Sequence, residues 1–237
     1  MKHCNALLPL VSSLIILTSC EKLVGKGPVV SETRPTAAFN SLQVSVPAET
    51  YFTQDSIFKV ELQAQQNILD EMETVVIGDE LKIRFRHSTR LKSHEGITIR
   101  ITAPDARNLE IHGSGNMYVS GPFAPANIRL GIEGSGNITV NDVSTSVIGA
   151  RIEGSGSIQV KNGLANASEA RISGSGNINL SQVQVRDADA RIDGSGTIRV
   201  YATDKLNARI SGSGTIYYRG QPAVNSSTSG SGRVVPM

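Results

Sequence analysis

The chain has 237 residues, enough for one elongated domain or two small ones, and its 23 Lys and Arg against 21 Asp and Glu leave a net charge of +2. Near-neutrality argues against bulk electrostatic binding to nucleic acid, which needs a concentrated basic surface. Tryptophan is absent and aromatic residues make up 4%, so strand and turn residues without aromatic anchors must build the fold, as thin β-layers with many repeated corners.

In chain order the first element is a targeting segment. Met1-Lys2-His3 is a short basic start, and Leu7 to Leu17 is an apolar run interrupted only by Pro9, Ser12 and Ser13. That run is too short for a typical membrane-spanning helix and suits a signal-peptide core. It ends in Leu17-Thr18-Ser19-Cys20, which resembles the lipobox of bacterial lipoproteins. The resemblance implies a signal peptide over 1–19, a diacylglyceryl thioether on Cys20 and acylation of the new amino terminus. Several acyl chains are needed for durable anchoring. The expected location is the cell envelope, at the outer membrane, with the membrane as a partner through Cys20. The only other cysteine, Cys4, falls in the segment expected to be removed, so neither a disulfide nor a thiolate metal site is expected. Residues 20–36, with Gly25, Gly27, Pro28 and Pro35, read as a tether.

A domain over 37–237 follows. Its first part, 37–112, alternates apolar and polar residues in four stretches: Leu42-Val44-Val46, Phe58-Val60-Leu62, Leu81-Ile83-Phe85 and Ile97-Ile99-Ile101. Each reads as a strand, with turns at Pro47, Gly78-Asp79, Gly96 and Pro104-Asp105. Ile68 and Met72, four apart, suggest a short helical turn over 67–74. The region reads as irregular first coils plus a cap, which a solenoid needs because an open end exposes a strand edge.

From 113 onward one tripeptide recurs. Gly-Ser-Gly begins at Gly113, Gly134, Gly154, Gly174, Gly194, Gly212 and Gly230, at spacings of 21, 20, 20, 20, 18 and 18. Alternation continues through each: Ile152, Gly154, Gly156, Ile158 and Val160 fall on one face, and Arg151, Glu153, Ser155, Ser157 and Gln159 on the other. One such unit cannot bury its apolar face alone, but stacked units make continuous Ile, Val and Gly columns. The expected fold is all-β, a right-handed parallel β-helix of about 20 residues per coil, forming a rod roughly 34 Å long at the spacing of a sheet. A propeller blade needs about twice that period, and the Leu and Asn pattern of a leucine-rich repeat is missing. The paired glycines (Gly113, Gly115, Gly134, Gly136, Gly154, Gly156, Gly174, Gly176, Gly194, Gly196, Gly212 and Gly214) are expected on the inner face of a sharp corner. There an inward side chain would strike the opposite wall. Tyr217-Tyr218 and the ending Val234-Val235-Pro236 are expected to close the far end.

With the opening Phe39-x-x-Leu42-x-Val44, the repeated Ser-Gly-Ser-Gly-Asn/Thr-Ile and the ending Tyr218-Arg219-Gly220-Gln221-Pro222, the sequence resembles the head GIN domain family of adhesin-like proteins abundant in Bacteroidota. The likeness runs over about 38–236. It implies a β-helical fold and brings no catalytic residues, and the adhesin label is itself an analogy.

The chemistry-bearing residues are mostly surface ladders. Gly-Ser-Gly lacks the third glycine and following helix of a phosphate-binding turn, and no Gly-x-Ser-x-Gly elbow occurs. No Asp lies inside any Gly-Ser-Gly, so the repeated calcium sites of β-rolls are not expected. His87 and His94 lie among Arg84, Arg86, Arg90 and Lys92 and read as a solvated loop rather than a metal site. No metal or other cofactor is expected. Asp55-Ser56-Ile57 resembles a short O-glycosylation sequon of Bacteroidota envelope proteins. Arg151, Arg171, Arg191 and Arg209 share one repeat position and should form an outward column, with Glu153 and Asp193 in the adjacent column to neutralise it. The column reads first as a self-neutralising ladder and second as a stripe for acidic glycans. The functional expectation is a non-catalytic envelope module, adhesive or scaffolding, whose partner would be a glycan or another envelope protein. The alternative is a carbohydrate-binding or carbohydrate-active β-helix protein, against which the scattered acids speak.

Overall fold

The computed structural model describes residues 22–87 and 89–237. Cys20 and the expected signal segment lie outside them. The chain is a parallel β-solenoid, in which the repeats stack rung on rung. One sheet runs through Asn108–Gly113, Asn127–Gly134, Val147–Gly154 and Ala167–Gly174, then the later halves of Asn177–Gly194 and Thr197–Gly212, and ends on Ala223–Ser229. A second sheet runs through Asn116–Ser120, Asn137–Val140, Ser157–Val160, the opening residues of the two long strands, Thr215–Arg219 and Arg233–Pro236. Val143–Ser144 and Gly163–Leu164 begin a short third wall.

Register follows the repeat. Ile132 pairs with Ile152, Ile152 with Ile172, Ile172 with Ile192 and Ile192 with Ile210. All of these are buried, as is the column Ile138, Ile158, Ile178, Ile198 and Ile216. Each isoleucine removes its side chain from water, a gain of about 1.5–3 kcal/mol apiece, and β-branching suits the pleat. The shortening from 20 to 18 residues is absorbed at one corner. Between Leu180↔Val200 and Gln184↔Tyr201 the later coil skips three residues, and between Val185↔Ala202 and Asp187↔Lys205 it regains one, a net loss of two.

The glycines of each pair do different work, which corrects the expectation that both face inward against an opposite wall. The first glycine turns the corner: Gly154 and Gly174 both have φ of 126°, a left-handed conformation that side chains rarely adopt. The second faces inward, but what confines it is the coil before it. A Cβ on Gly176 would sit 2.7 Å from Ile152 Cγ2 and 2.8 Å from the Gly156 carbonyl oxygen.

The N-terminal part departs further from the expected sequential coils. The four expected strands exist as Ser41–Val44, Lys59–Gln65, Glu80–Phe85 and Thr98–Ala103, but five more do as well: Lys22–Val24, Val29–Arg34, Glu49–Gln54, Met72–Ile77 and Arg90–Ser93. Ser41–Val44 is flanked by Glu80–Phe85 on one side and by Asn108–Gly113 on the other. Thus the rung made by 80–103 lies outside the rung made by 41–54, and the chain then doubles back. The Gln54 amide donating to the Pro104 carbonyl (2.8 Å) and the Arg107 N–H donating to Asn40 O (2.6 Å) hold this return. Antiparallel strands close the end: Met72–Ile77 on Glu80–Phe85, and Lys59–Gln65 on Thr98–Ala103. The helical turn is shorter than expected, Gln66–Leu69, and Met72 already begins a strand.

The expected tether is also corrected. Lys22–Val24 pairs with Arg90–Ser93, and Val29–Arg34 lies antiparallel on Lys59–Gln65, covering its edge. The alternation Val30, Glu32, Arg34 places those residues half-buried while Val29, Ser31 and Thr33 are exposed. Pro28 precedes the strand and Pro35 follows it, so neither removes a donor from it.

At the other end the rung Ala223–Ser229 is exposed throughout. Ser226 and Thr228 stand in register with buried Ala208 and Ile210, so hydroxyl groups meet water where the stack ends. Tyr218 packs on the core, and the Met237 N–H donates to its carbonyl at 2.8 Å.

Candidate functional site

The first sheet's outer surface carries the arginine column. Arg151 pairs with Arg171, Arg171 with Arg191 and Arg191 with Arg209 in continuous register, about 4.8 Å apart along the rod. Gly131 precedes Arg151 in the column and ends it. The four guanidinium groups line a shallow groove of about 460 Å³ with Glu153, Asp189 and Asp193.

Every arginine in this column has its own carboxylate. Arg151 is paired with Glu153, Arg171 with Glu169 (3.4 Å), Arg191 with Asp193 (2.9 Å) and Arg209 with Asp189 (3.3 Å). Sequence reasoning found Glu153 and Asp193, two residues after an arginine. It missed Glu169 and Asp189, which lie two residues before one and are themselves in register. Hydrogen bonding to Asp193, reinforced by its charge, raises the pKa of Arg191 further. Alternating acids on both flanks turn a column of like charges into a neutral lattice, so the groove offers an anion no uncompensated guanidinium.

The adjacent column, through Glu153 and Glu133, leads to a histidine. His112 Nε2 is 3.1 Å from Glu110 and its Nδ1 is 3.0 Å from the Gln43 amide, so both ring nitrogens are occupied by side chains. His94 lies against the Glu95 carbonyl and His87 beside Glu71, both at the surface. Among the described residues no group of His, Cys, Asp and Glu is arranged to hold a metal ion. Ser56 is exposed in a turn where the Asp55 carboxylate accepts its N–H at 2.6 Å.

The second sheet's outer surface is different in kind. Its repeat strands read Asn-Ile-Thr-Val, Ser-Ile-Gln-Val, Asn-Ile-Asn-Leu, Thr-Ile-Arg-Val and Thr-Ile-Tyr-Tyr-Arg, without a single Asp or Glu. One outward column reads Arg100, Tyr51, Tyr118, Thr139, Gln159, Asn179, Arg199, Tyr217. At one end the Tyr51 and Tyr118 rings stack with centroids 5.3 Å apart. The Glu49 carboxylate, which accepts from both the Tyr118 hydroxyl and the Asn116 amide, raises the pKa of Tyr118. At the other end Arg199 lies over the Tyr217 ring at 5.1 Å, and two residues along the strands Arg219 lies over Tyr201 at 4.8 Å. The two arginine–tyrosine pairs form a checkerboard. The sequence assigned Tyr217-Tyr218 only to the closing of the far end and paired none of these tyrosines. The Tyr51–Tyr118 pairing depends on register between residues 67 apart, which no local signal carries, whereas Tyr201 and Arg219, like Arg199 and Tyr217, hold the same place after Gly194 and Gly212 and meet by the repeat.

Most of the cap and of the repeat falls within one known family. The model of the family described as "putative auto-transporter adhesin, head GIN domain" matches residues 38–222. The chain belongs to this head GIN domain family. A solved adhesin-type protein from Bacteroides fragilis is 20% identical with a TM-score of 0.86, covering 91% of this chain and 100% of its own. One from Parabacteroides merdae is 21% identical with a TM-score of 0.75, covering 92% of this chain and 99% of its own. A Parabacteroides distasonis structure described as a "putative lipid binding protein" is 25% identical with a TM-score of 0.78, covering 92% of this chain and 100% of its own. These likenesses to Bacteroidota proteins extend the fold of this head GIN domain over nearly the whole chain. No curated protein matches it. Among the described residues no helix is long and apolar enough to cross a membrane.

Proposed function

We propose that this head GIN domain protein is a non-catalytic lipoprotein of the cell envelope, held to the outer membrane through lipid on Cys20, with the solenoid acting as an adhesive or scaffolding surface. The observation that carries the reading is the neutralised arginine lattice. Four arginines repeat along the rod at one equivalent position, each with its own carboxylate. A catalytic centre needs one distinctive set of groups with displaced protonation, whereas equivalent groups on successive coils present a surface. The family's adhesin label points the same way.

The anchor rests on Leu17-Thr18-Ser19-Cys20. With Lys22 already paired in a strand, one residue separates an acylated Cys20 from the folded cap, so the cap would lie at the membrane surface. Mass spectrometry of the native N-terminal peptide tests this. A mature chain starting at acylated Cys20, and loss of membrane association in Cys20→Ala, are expected. An unmodified Cys20 or a mature start elsewhere overturns the anchor.

A further inference from the structure

We infer that the outer face of the second sheet, whose repeat strands from Asn137 onward carry no Asp or Glu, is a binding site for an extended acidic polysaccharide, running along the rod from the Tyr118 rung to the Tyr217–Arg199 checkerboard. The inference deepens the adhesive reading by naming the ligand chemistry and the face.

Four observations converge on it. The two arginines at the checkerboard differ from those of the ladder: among the described residues neither Arg199 nor Arg219 has a carboxylate within 4.0 Å, while every ladder arginine does. A guanidinium over a tyrosine ring, with no carboxylate beside it, keeps N–H donors for a partner, and those donors match a sugar carboxylate in bidentate geometry. The tyrosine rings supply amphipathic surface of the kind that packs against the C–H face of a pyranose. Between the ends, Thr139, Gln159 and Asn179 offer hydroxyl and amide groups on successive rungs, donors and acceptors suited to sugar hydroxyls, with no like charge to repel an acidic chain. The rung spacing of about 4.8 Å is close to the length of one glycosyl residue in an extended chain, so successive sugars meet successive rungs in step.

The site is long. Five rung steps separate Tyr118 from Tyr217, about 24 Å at the spacing of a sheet. A short oligosaccharide reaches one end only, and a polymer reaches both, so affinity should rise with chain length until the span is covered and then level off.

The test uses the full chain purified in detergent, so its outcome does not depend on whether Cys20 is acylated. Binding to alginate, polygalacturonate and hyaluronan is measured by isothermal titration calorimetry, with dextran as the neutral polymer. At least one acidic polymer should bind, dextran should not, and raised salt should weaken the complex. Arg199→Ala and Tyr217→Ala should each lower affinity about tenfold, the cost of one charge-assisted or stacking contact. Arg171→Ala removes the same charge from the paired ladder and should change affinity less than about twofold. Melting midpoints of the variants check that each is folded, and Arg199→Lys, which keeps the charge but loses the planar fork, should bind more weakly than the parent. No binding to any acidic polymer overturns the inference. Equal losses from Arg171→Ala and Arg199→Ala, or equal binding of dextran, overturn it too. The adhesive or scaffolding reading would survive all three results, since a protein partner remains open to it.

Discussion

Arg171 and Glu169 lie two residues apart on the strand Ala167–Gly174 and meet at 3.4 Å, one coil below Arg151 and one above Arg191. The pair shows how the column tolerates itself: each guanidinium takes a carboxylate from its own strand or from the adjoining rung. Removing the acids should therefore reveal the charge. The quadruple variant Glu153→Gln, Glu169→Gln, Asp189→Asn, Asp193→Asn should elute from a cation exchanger at markedly higher salt than the parent. Its melting midpoint should fall as salt is lowered, because exposed like charges are then less screened. An unchanged elution would mean that the arginines are not neutralised by these four groups.

The corner predicts a sharp asymmetry between neighbours. Gly156 is buried against Ile132 Cγ2, 2.8 Å from where a Cβ would stand, while Ser155 is exposed. Gly156→Val should destabilise by about 1–3 kcal/mol or more through overpacking, and Ser155→Val by no more than about 0.5 kcal/mol. Chemical denaturation of both variants measures this. Equal losses would contradict the inside and outside assignment, and with it the outward arginine column.

Two inward hydroxyls predict gains. Thr50 is fully buried between Ile99 and Met117, and Ser168 is buried between Ile148 and Ala188; neither hydroxyl finds a hydrogen-bond partner among the described residues. Thr50→Val and Ser168→Ala remove a desolvated polar group at little change of shape. Each should stabilise by about 1 kcal/mol. A loss of that size in either would mean that a water or another group satisfies the hydroxyl.

These particulars show what the sequence could and could not disclose. The rod itself was legible, because Gly-Ser-Gly and its flanking isoleucines state the period and the inward face in every coil. The strand Glu49–Gln54 was not: its inward positions are Thr50 and Phe52, and a polar Thr hides the alternation. The doubled-back rung was not, since order in space is set by the return past Asn40 and Gln54, a contact between distant residues. The arginine column was found and half its partners missed, because Glu169 and Asp189 occur in only two coils. The Tyr51–Tyr118 pair was missed because it exists only across coils.

The cap predicts a protected N-terminus. Val29–Arg34 is hydrogen-bonded to Lys59–Gln65, so amides in 29–34 should exchange slowly in hydrogen–deuterium exchange, unlike those of a free tether. Deleting 22–34 uncovers the Lys59–Gln65 edge and should lower the melting midpoint and promote association between chains. Fast exchange throughout 29–34 would restore the tether.

The central claim is that this surface binds without catalysing, and a turnover screen addresses it most directly. The purified full chain is incubated with a panel of acidic and neutral polysaccharides, and released reducing ends and unsaturated sugars are followed over time. The account predicts no release above the protein-free control, including from any polymer that the second-sheet face retains. Reproducible release that a single point substitution abolishes would contradict it.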